Sequence, residues 1–173
     1  MKPAAGVAIE MVSLALLLGI APFVPSGLIL SAYVVLAELL STYLTHCPAH
    51  YLVGRALGIR FRAIRVGKTT LARALPRSLA GLARFFPILT LSTEKSSLVG
   101  SSRRKVAAMY ASGTAASVGS AVAIALATTA LEPYPLSAIA WAIALFYLVF
   151  DLVFSPRSGD ISRARAALRM LPG

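Results

Sequence analysis

Residues 28–50 read LILSAYVVLAELLSTYLTHCPAH. From Leu28 to Leu44 the run is apolar but for Glu38 and a few hydroxyl side chains, and it approaches the ~20 residues a helix needs to cross a hydrocarbon core. It ends on two histidines four residues apart, His46 and His50. On an α-helix such positions share a face one turn apart, so Glu38, Thr42, His46 and His50 form one polar stripe on an apolar helix. Ionisable groups inside a membrane are costly and face the interior of a bundle, which points the stripe away from lipid. Two chemistries suit it: a hydrogen-bonded pair of core histidines, or two imidazole ligands to one metal ion completed by a carboxylate from another helix.

The composition agrees with a membrane setting. Of the 173 residues 58% are hydrophobic, against roughly 45–50% in soluble domains, and the mean hydropathy is +0.79. An integral membrane protein with the lipid bilayer as its main partner is expected. The formal net charge of +11 would suggest nucleic acid in a soluble chain, so the position of the charges decides their meaning. The single cysteine, Cys47, excludes an internal disulfide and a cysteine-rich zinc site.

Four spans are predicted, at about residues 7–24, 28–46, 106–131 and 136–154, in one membrane domain covering 1–173. The first ends at Pro25-Ser26-Gly27. It contains Glu10, has only Lys2 as a basic residue before it and is followed by no small-residue cleavage site, which separates it from a signal peptide. The helical pattern of the second continues past Pro48 to about Ala56, although Pro48 lacks an N–H and should kink or end the helix. The third is rich in small residues, with Gly113 and Ser117, and Ala115 and Gly119, at the spacing that allows close helix approach. The last holds Trp141 and Asp151.

Between the second and third spans lies a basic segment, 55–105. Ile59 to Val66 alternates apolar and basic residues as a short strand does, and Gly67 closes it. Leu79 to Leu91 is short, contains Arg84 and Pro87, and reads as an interfacial or re-entrant piece. The fold class is therefore all-α, a polytopic transmembrane helix bundle of about four spans with a short strand-like and interfacial segment between spans two and three.

Lys2, twelve residues between Arg55 and Lys105, and four in the basic tail 155–173 account for all 17 lysines and arginines. None falls in the turns near Pro25 and Pro133. The positive-inside rule then places both termini and the 55–105 segment in the cytoplasm. The charge is mainly a topology signal, with attraction to anionic lipid, and calls for no nucleic acid. Val66-Gly67-Lys68-Thr69-Thr70 imitates the end of a Walker A loop, but Arg62 stands where that loop needs its first glycine. No nucleotide is expected; Thr69 or Thr70 would instead start a short basic helix on the membrane surface.

The run His46-Cys47-Pro48-Ala49-His50-Tyr51-Leu52-Val53-Gly54-Arg55-Ala56-Leu57-Gly58-Ile59-Arg60-Phe61, followed by Ile64 and Val66-Gly67, resembles the site-2 protease family of intramembrane zinc metallopeptidases. In that family an H-E-x-x-H motif near a helix end precedes an arginine, a Leu-Gly-Ile/Val turn and a strand ending in glycine. The resemblance implies zinc held by His46 and His50, with an aspartate from a later helix as third ligand. Asp151, in Phe150-Asp151-Leu152, is the expected match, because an unpaired carboxylate in an apolar span would be costly. Asp160, in Ser158-Gly159-Asp160, is the alternative; a polar turn that N-caps a helix beginning near Ile161 also accounts for it. Cys47 and Glu38 are possible additional groups.

Cys47 stands where the family has its general-base glutamate. A thiol does not replace a carboxylate that accepts a proton from water and passes it to a leaving amine, although it can serve as a soft metal ligand. Glu38 lies two turns away, roughly 12 Å along the helix axis, and is a poor substitute. The expectation is a metal-binding, site-2-protease-like membrane protein, a catalytically inactive or atypical pseudoenzyme that holds transmembrane segments of other proteins. Two alternatives stay open: an active intramembrane metallopeptidase with a non-standard base, and a metal-free scaffold or transporter-like protein in which Glu38, Asp151 and the histidines form a proton-linked cluster.

Overall fold

The computed structural model describes residues 1–67, 88–131 and 134–169. Four helices are long and apolar enough to cross a membrane. Helix α1 covers Pro3–Gly19, with proline in its first turn, where the missing N–H costs nothing. A 3-10 turn, Ala21–Phe23, extends it. Gly27, at φ +87°, turns the chain into helix α2, Leu28–Ala56, and this left-handed conformation is one that glycine adopts without a Cβ penalty.

Helix α2 runs through Pro48 without ending there, so the proline does not terminate the span. Its 29 residues make it about 43 Å long, against a hydrocarbon core of ~30 Å, so one end must project towards the headgroups. The C-terminal end is closed by a Schellman motif. Gly58 has φ +85°, Ile59 N–H donates to the Gly54 carbonyl at 2.8 Å and Gly58 N–H donates to that of Arg55 at 3.1 Å. These are the two bonds that satisfy the carbonyls of a last helical turn, and the apolar residue after the glycine packs back on the helix. Ile59 is accordingly fully buried.

Strand β1, Phe61–Gly67, follows at once and pairs antiparallel with β2, Ile88–Thr93, with an irregularity in register between Phe61 and Ala63. The expected strand is thus present. Residues 88–91, the end of the stretch read as interfacial or re-entrant, are a β-strand; the remainder of that stretch, and the basic helix expected at Thr69 or Thr70, lie outside the described residues. A short helix α3, Lys95–Val99, leads to α4, Arg103–Leu131, α5, Leu136–Ser158, and α6, Asp160–Arg169.

Helices α2 and α4 form the most extensive helix pair. The α4 side of this interface is a line of small residues one turn apart, Gly113, Ser117, Ala121 and Ala125, all buried, which brings the backbones close. The Ser117 hydroxyl donates to the Thr42 carbonyl of α2 at 2.9 Å. The other small pair, Ala115 and Gly119, is exposed on the outer surface of α4 and takes no part. At one end of the bundle Val34 of α2, Ala121 and Ala125 of α4, and Leu136, Ala140 and Ala144 of α5 form the apolar core.

At the other end α6 folds back on α4, where Ala164 and Ala167 pack on Ala107, Val106 and Tyr110. The Met1 carbonyl accepts the Ile64 N–H at 3.2 Å, so the first residue, the sheet and α6 lie at this same end. Large apolar side chains such as Leu16, Phe23, Leu145 and Phe146 cover the outer surface. In water such a surface would be costly; in a bilayer it faces lipid. The chain is a four-span helical membrane bundle with a small two-stranded sheet beside the end of α2.

Candidate metal centre

The stripe on α2 faces α4, and its last two members meet a carboxylate. His46 Nε2 lies 2.9 Å and His50 Nε2 3.0 Å from Oδ2 of Asp160, and the two Nε2 atoms are 3.3 Å apart. The rings meet edge to face, with centroids 4.8 Å apart. Asp160 reaches them because α5 continues through Pro156 to Ser158, the chain reverses at Gly159, and α6 begins at Asp160 itself. The reversal is tight: a Cβ on Gly159 would come 2.6 Å from the Ser155 hydroxyl and 2.8 Å from its Cα. Ser155 Oγ, not the Asp160 carboxylate, accepts the Ile161 N–H at 3.2 Å. Asp160 is thereby released from the capping role and turned towards the histidines.

The outer ring nitrogens fix the proton positions. His50 Nδ1 lies 2.7 Å from the Met109 carbonyl, an acceptor, so Nδ1 carries the hydrogen. His46 Nδ1 lies 3.0 Å from the Ser117 hydroxyl, whose only hydrogen is given to Thr42; here too Nδ1 must be the donor. In neutral imidazoles both Nε2 atoms are then lone pairs, and they converge on a carboxylate oxygen. Three acceptors at such distances repel one another unless a cation lies among them.

The His50 ring occupies its position because residue 113 is glycine. A Cβ there would approach Nε2 to 2.2 Å. On the other side Tyr110 meets the ring at 6.4 Å between centroids, and the Arg163 guanidinium stands over Tyr110 and 3.7 Å from Oδ1 of Asp160. The Asp160 side chain is only 12% exposed. Without a metal ion, burial pushes its carboxyl up, but hydrogen bonds with His46 and His50 and charge on the imidazoles pull it down by more, leaving it below the ordinary carboxylate range. Its place in the first turn of α6 adds the favourable end of the helix dipole.

A cavity of about 90 Å³ opens over the pair, walled by Phe61 of β1, by Thr90, Leu91 and Thr93 of β2, and by Cys47. Phe61 enters this wall over Gly54, where a Cβ would come 2.4 Å from the ring.

No protein-family model, curated protein or solved structure matches this chain. The reading of the centre therefore rests on its own geometry. Among the described residues the one group of side chains able to share a metal ion is His46, His50 and Asp160, whose ligand atoms all lie within 4.8 Å of one another.

Asp151, the expected third ligand, is outside this group. It sits half-buried on α5, nine residues before Asp160, and the reversal at Gly159 delivers the later aspartate instead. Cys47 is buried and lines the cavity but is not in the ligand group. Glu38 stays two turns down the stripe, fully buried, with neither oxygen hydrogen-bonded among the described residues; Glu10 on α1 is in the same condition. Ser117, Met109 and Gly113, which orient and seat the imidazoles, went unassigned in the sequence. Only the small-residue spacing of Gly113 and Ser117 marked two of them.

Proposed function

We propose that the protein is an integral membrane metal-binding protein in which His46, His50 and Asp160 hold a zinc ion, and that it resembles site-2 proteases without carrying out their peptide hydrolysis. One observation carries the reading: three lone-pair atoms, two of them with their tautomers set by Met109 and Ser117, converge within 3.3 Å of one another. Ligand atoms at ~2.0–2.1 Å from a tetrahedral zinc lie roughly 3.3 Å apart, close to the spacing here. Outer hydrogen bonds from ligand imidazoles to a carbonyl and a hydroxyl are the usual accompaniment of such sites.

When bound, zinc supplies Lewis acidity at a position left open by three protein ligands. The residues around that position are ill-suited to hydrolysis. Cys47 occupies the place of the general base, and a thiol with an ordinary value near 8.5 is mostly protonated at neutral pH. Glu38 is too far along α2 to take its part. The centre then fastens α6 to α2, and transmembrane segments of other proteins are the partners proposed for the bundle. Both termini share one membrane face in a bundle of four spans, and the basic segment 55–105 assigns that face to the cytoplasm.

The decisive experiment is metal analysis of the purified protein beside His46→Ala. About one zinc per chain that is lost in the variant supports the reading; trace zinc, equal in both, overturns it. A metal-free reading is favoured by the same 2.9 and 3.0 Å contacts, since one or two protons on the imidazoles would also hold the carboxylate. Trace zinc in both proteins would select it. Cleavage of a transmembrane substrate that disappears in His50→Ala would instead establish an active peptidase.

A further inference from the structure

Outside the metal centre, α6 presents a second face whose chemistry is different. Its inner face, with Asp160, Ala164 and Ala167, is turned to α2 and α4. The opposite face carries Ser162, Arg165, Ala166 and Arg169, which with Pro156 of α5 border a concave space of about 510 Å³. Arg165 and Arg169 are exposed and one helical turn apart, so both guanidinium groups lie on one side of the groove.

Their charge is uncompensated. The chain has six acidic residues against 17 basic ones. Asp160, the closest in sequence, is committed to His46, His50 and Arg163. Among the described residues neither Arg165 nor Arg169 has an ion-pair or hydrogen-bond partner. The neighbouring Arg163 is different in this respect, being held between Tyr110 and Asp160.

Location narrows the ligand. The fourth candidate span runs Leu136–Arg157, so α6 and its groove follow directly on the end of a segment long enough to cross the hydrocarbon core, where headgroups are expected. Leu168, half exposed on the side of α6 next to Arg165, is the apolar neighbour that an acyl chain would meet. We infer that Arg165, Arg169 and Ser162 form a binding site for the phosphate ester of an anionic phospholipid headgroup. The guanidinium fork matches two phosphate oxygens and the serine hydroxyl offers a third donor. The site is independent of the metal reading, since no residue is shared.

The full-length protein in nanodiscs of phosphatidylcholine and phosphatidylglycerol in equal amounts, followed by detergent extraction and analysis of retained lipid, tests this. Phosphatidylglycerol should be retained in preference to phosphatidylcholine. Arg165→Gln with Arg169→Gln should reduce that preference by about 25-fold, from roughly fivefold per basic residue at an anionic surface. Arg169→Gln alone, at the end of the helix, gives a roughly fivefold reduction and serves if the double variant fails to fold. Arg60→Gln, which removes an exposed cation elsewhere at the same end of the bundle, should leave the preference intact. Competition by inorganic phosphate with the same arginine dependence, and no lipid preference, would keep the phosphate site and identify its ligand as free phosphate. Equal retention by the wild type and the arginine variants, or an equal loss in Arg60→Gln, overturns the proposal.

Discussion

Gly113 lies directly under the His50 ring, so close that a Cβ at this position would come 2.2 Å from Nε2. The contact is between a helix backbone and the imidazole nitrogen that faces Asp160, and neither can yield without moving the imidazole off the Met109 carbonyl.

Gly113→Ala should therefore damage the centre more than the fold. Alanine in place of glycine favours a helix by up to ~1 kcal/mol, while the displaced ring should lower zinc affinity by at least the roughly 10–100-fold typical of losing an outer hydrogen bond. Competition with a chromogenic chelator measures the zinc affinity, and circular dichroism in detergent checks that the helices persist. Unchanged zinc affinity would remove Gly113 from the account of how His50 is placed.

The two aspartates can be separated by paired substitutions. Asp160→Asn should lower zinc affinity beyond about 100-fold, since a ligand and not an outer partner is lost. Asp151→Asn should leave zinc content within error of the unmutated protein. The reverse ranking would restore the aspartate on α5 as third ligand.

Ser117→Ala removes the acceptor of the His46 Nδ1 proton and, with it, the bond to the Thr42 carbonyl. The ring then has no group fixing its tautomer, and zinc affinity should fall roughly tenfold or more. Ser117→Thr keeps the hydroxyl and should recover part of the loss. Equal affinities in the alanine and threonine variants would show that the hydroxyl is not what orients His46.

In metal-free protein the ion pairs at Asp160 also make a pH prediction. Its carboxyl is held below the ordinary range by its contacts with His46 and His50, so, as long as the imidazoles carry their protons, the stabilisation it gives is present above about pH 4 and is lost as pH falls through the lower, folded value. With chelator present, wild type should exceed Asp160→Asn in thermal stability above pH 4, and the two should converge on further acidification. A gap that widens towards low pH would contradict the sign.

The bundle was legible in the sequence because its signals are local. Four apolar runs, the glycines at 27 and 58 and the alternation before Gly67 each report on a few neighbouring residues, and each is found as an element boundary or strand. The histidine pair was legible for the same reason, since one helical turn separates its members. Asp160 was not. Its role depends on α5 continuing past Pro156 and on a reversal at Gly159 tight enough for Ser155 to accept the Ile161 N–H. Beside Pro156 and Ser158, the residue looked like a surface cap. Strand β2 was obscured in a similar way: its pairing partner, not its own composition, defines Ile88–Thr93.

The hydrogen bond between His50 and Asp160 spans 110 positions of the chain, which gives the centre a place in the order of assembly. While the first three spans enter the membrane, the two imidazoles have no Asp160 carboxylate to complete the proposed site, and an ion there would be weakly held. The full ligand set exists only after the fourth span is inserted and α6 has folded back. An ion captured at that moment closes a loop around nearly two thirds of the polypeptide and favours the finished arrangement over every earlier one by mass action. The metal would act as a latch on completed membrane insertion, and a chain arrested before residue 160 would be recognisable by its failure to retain it.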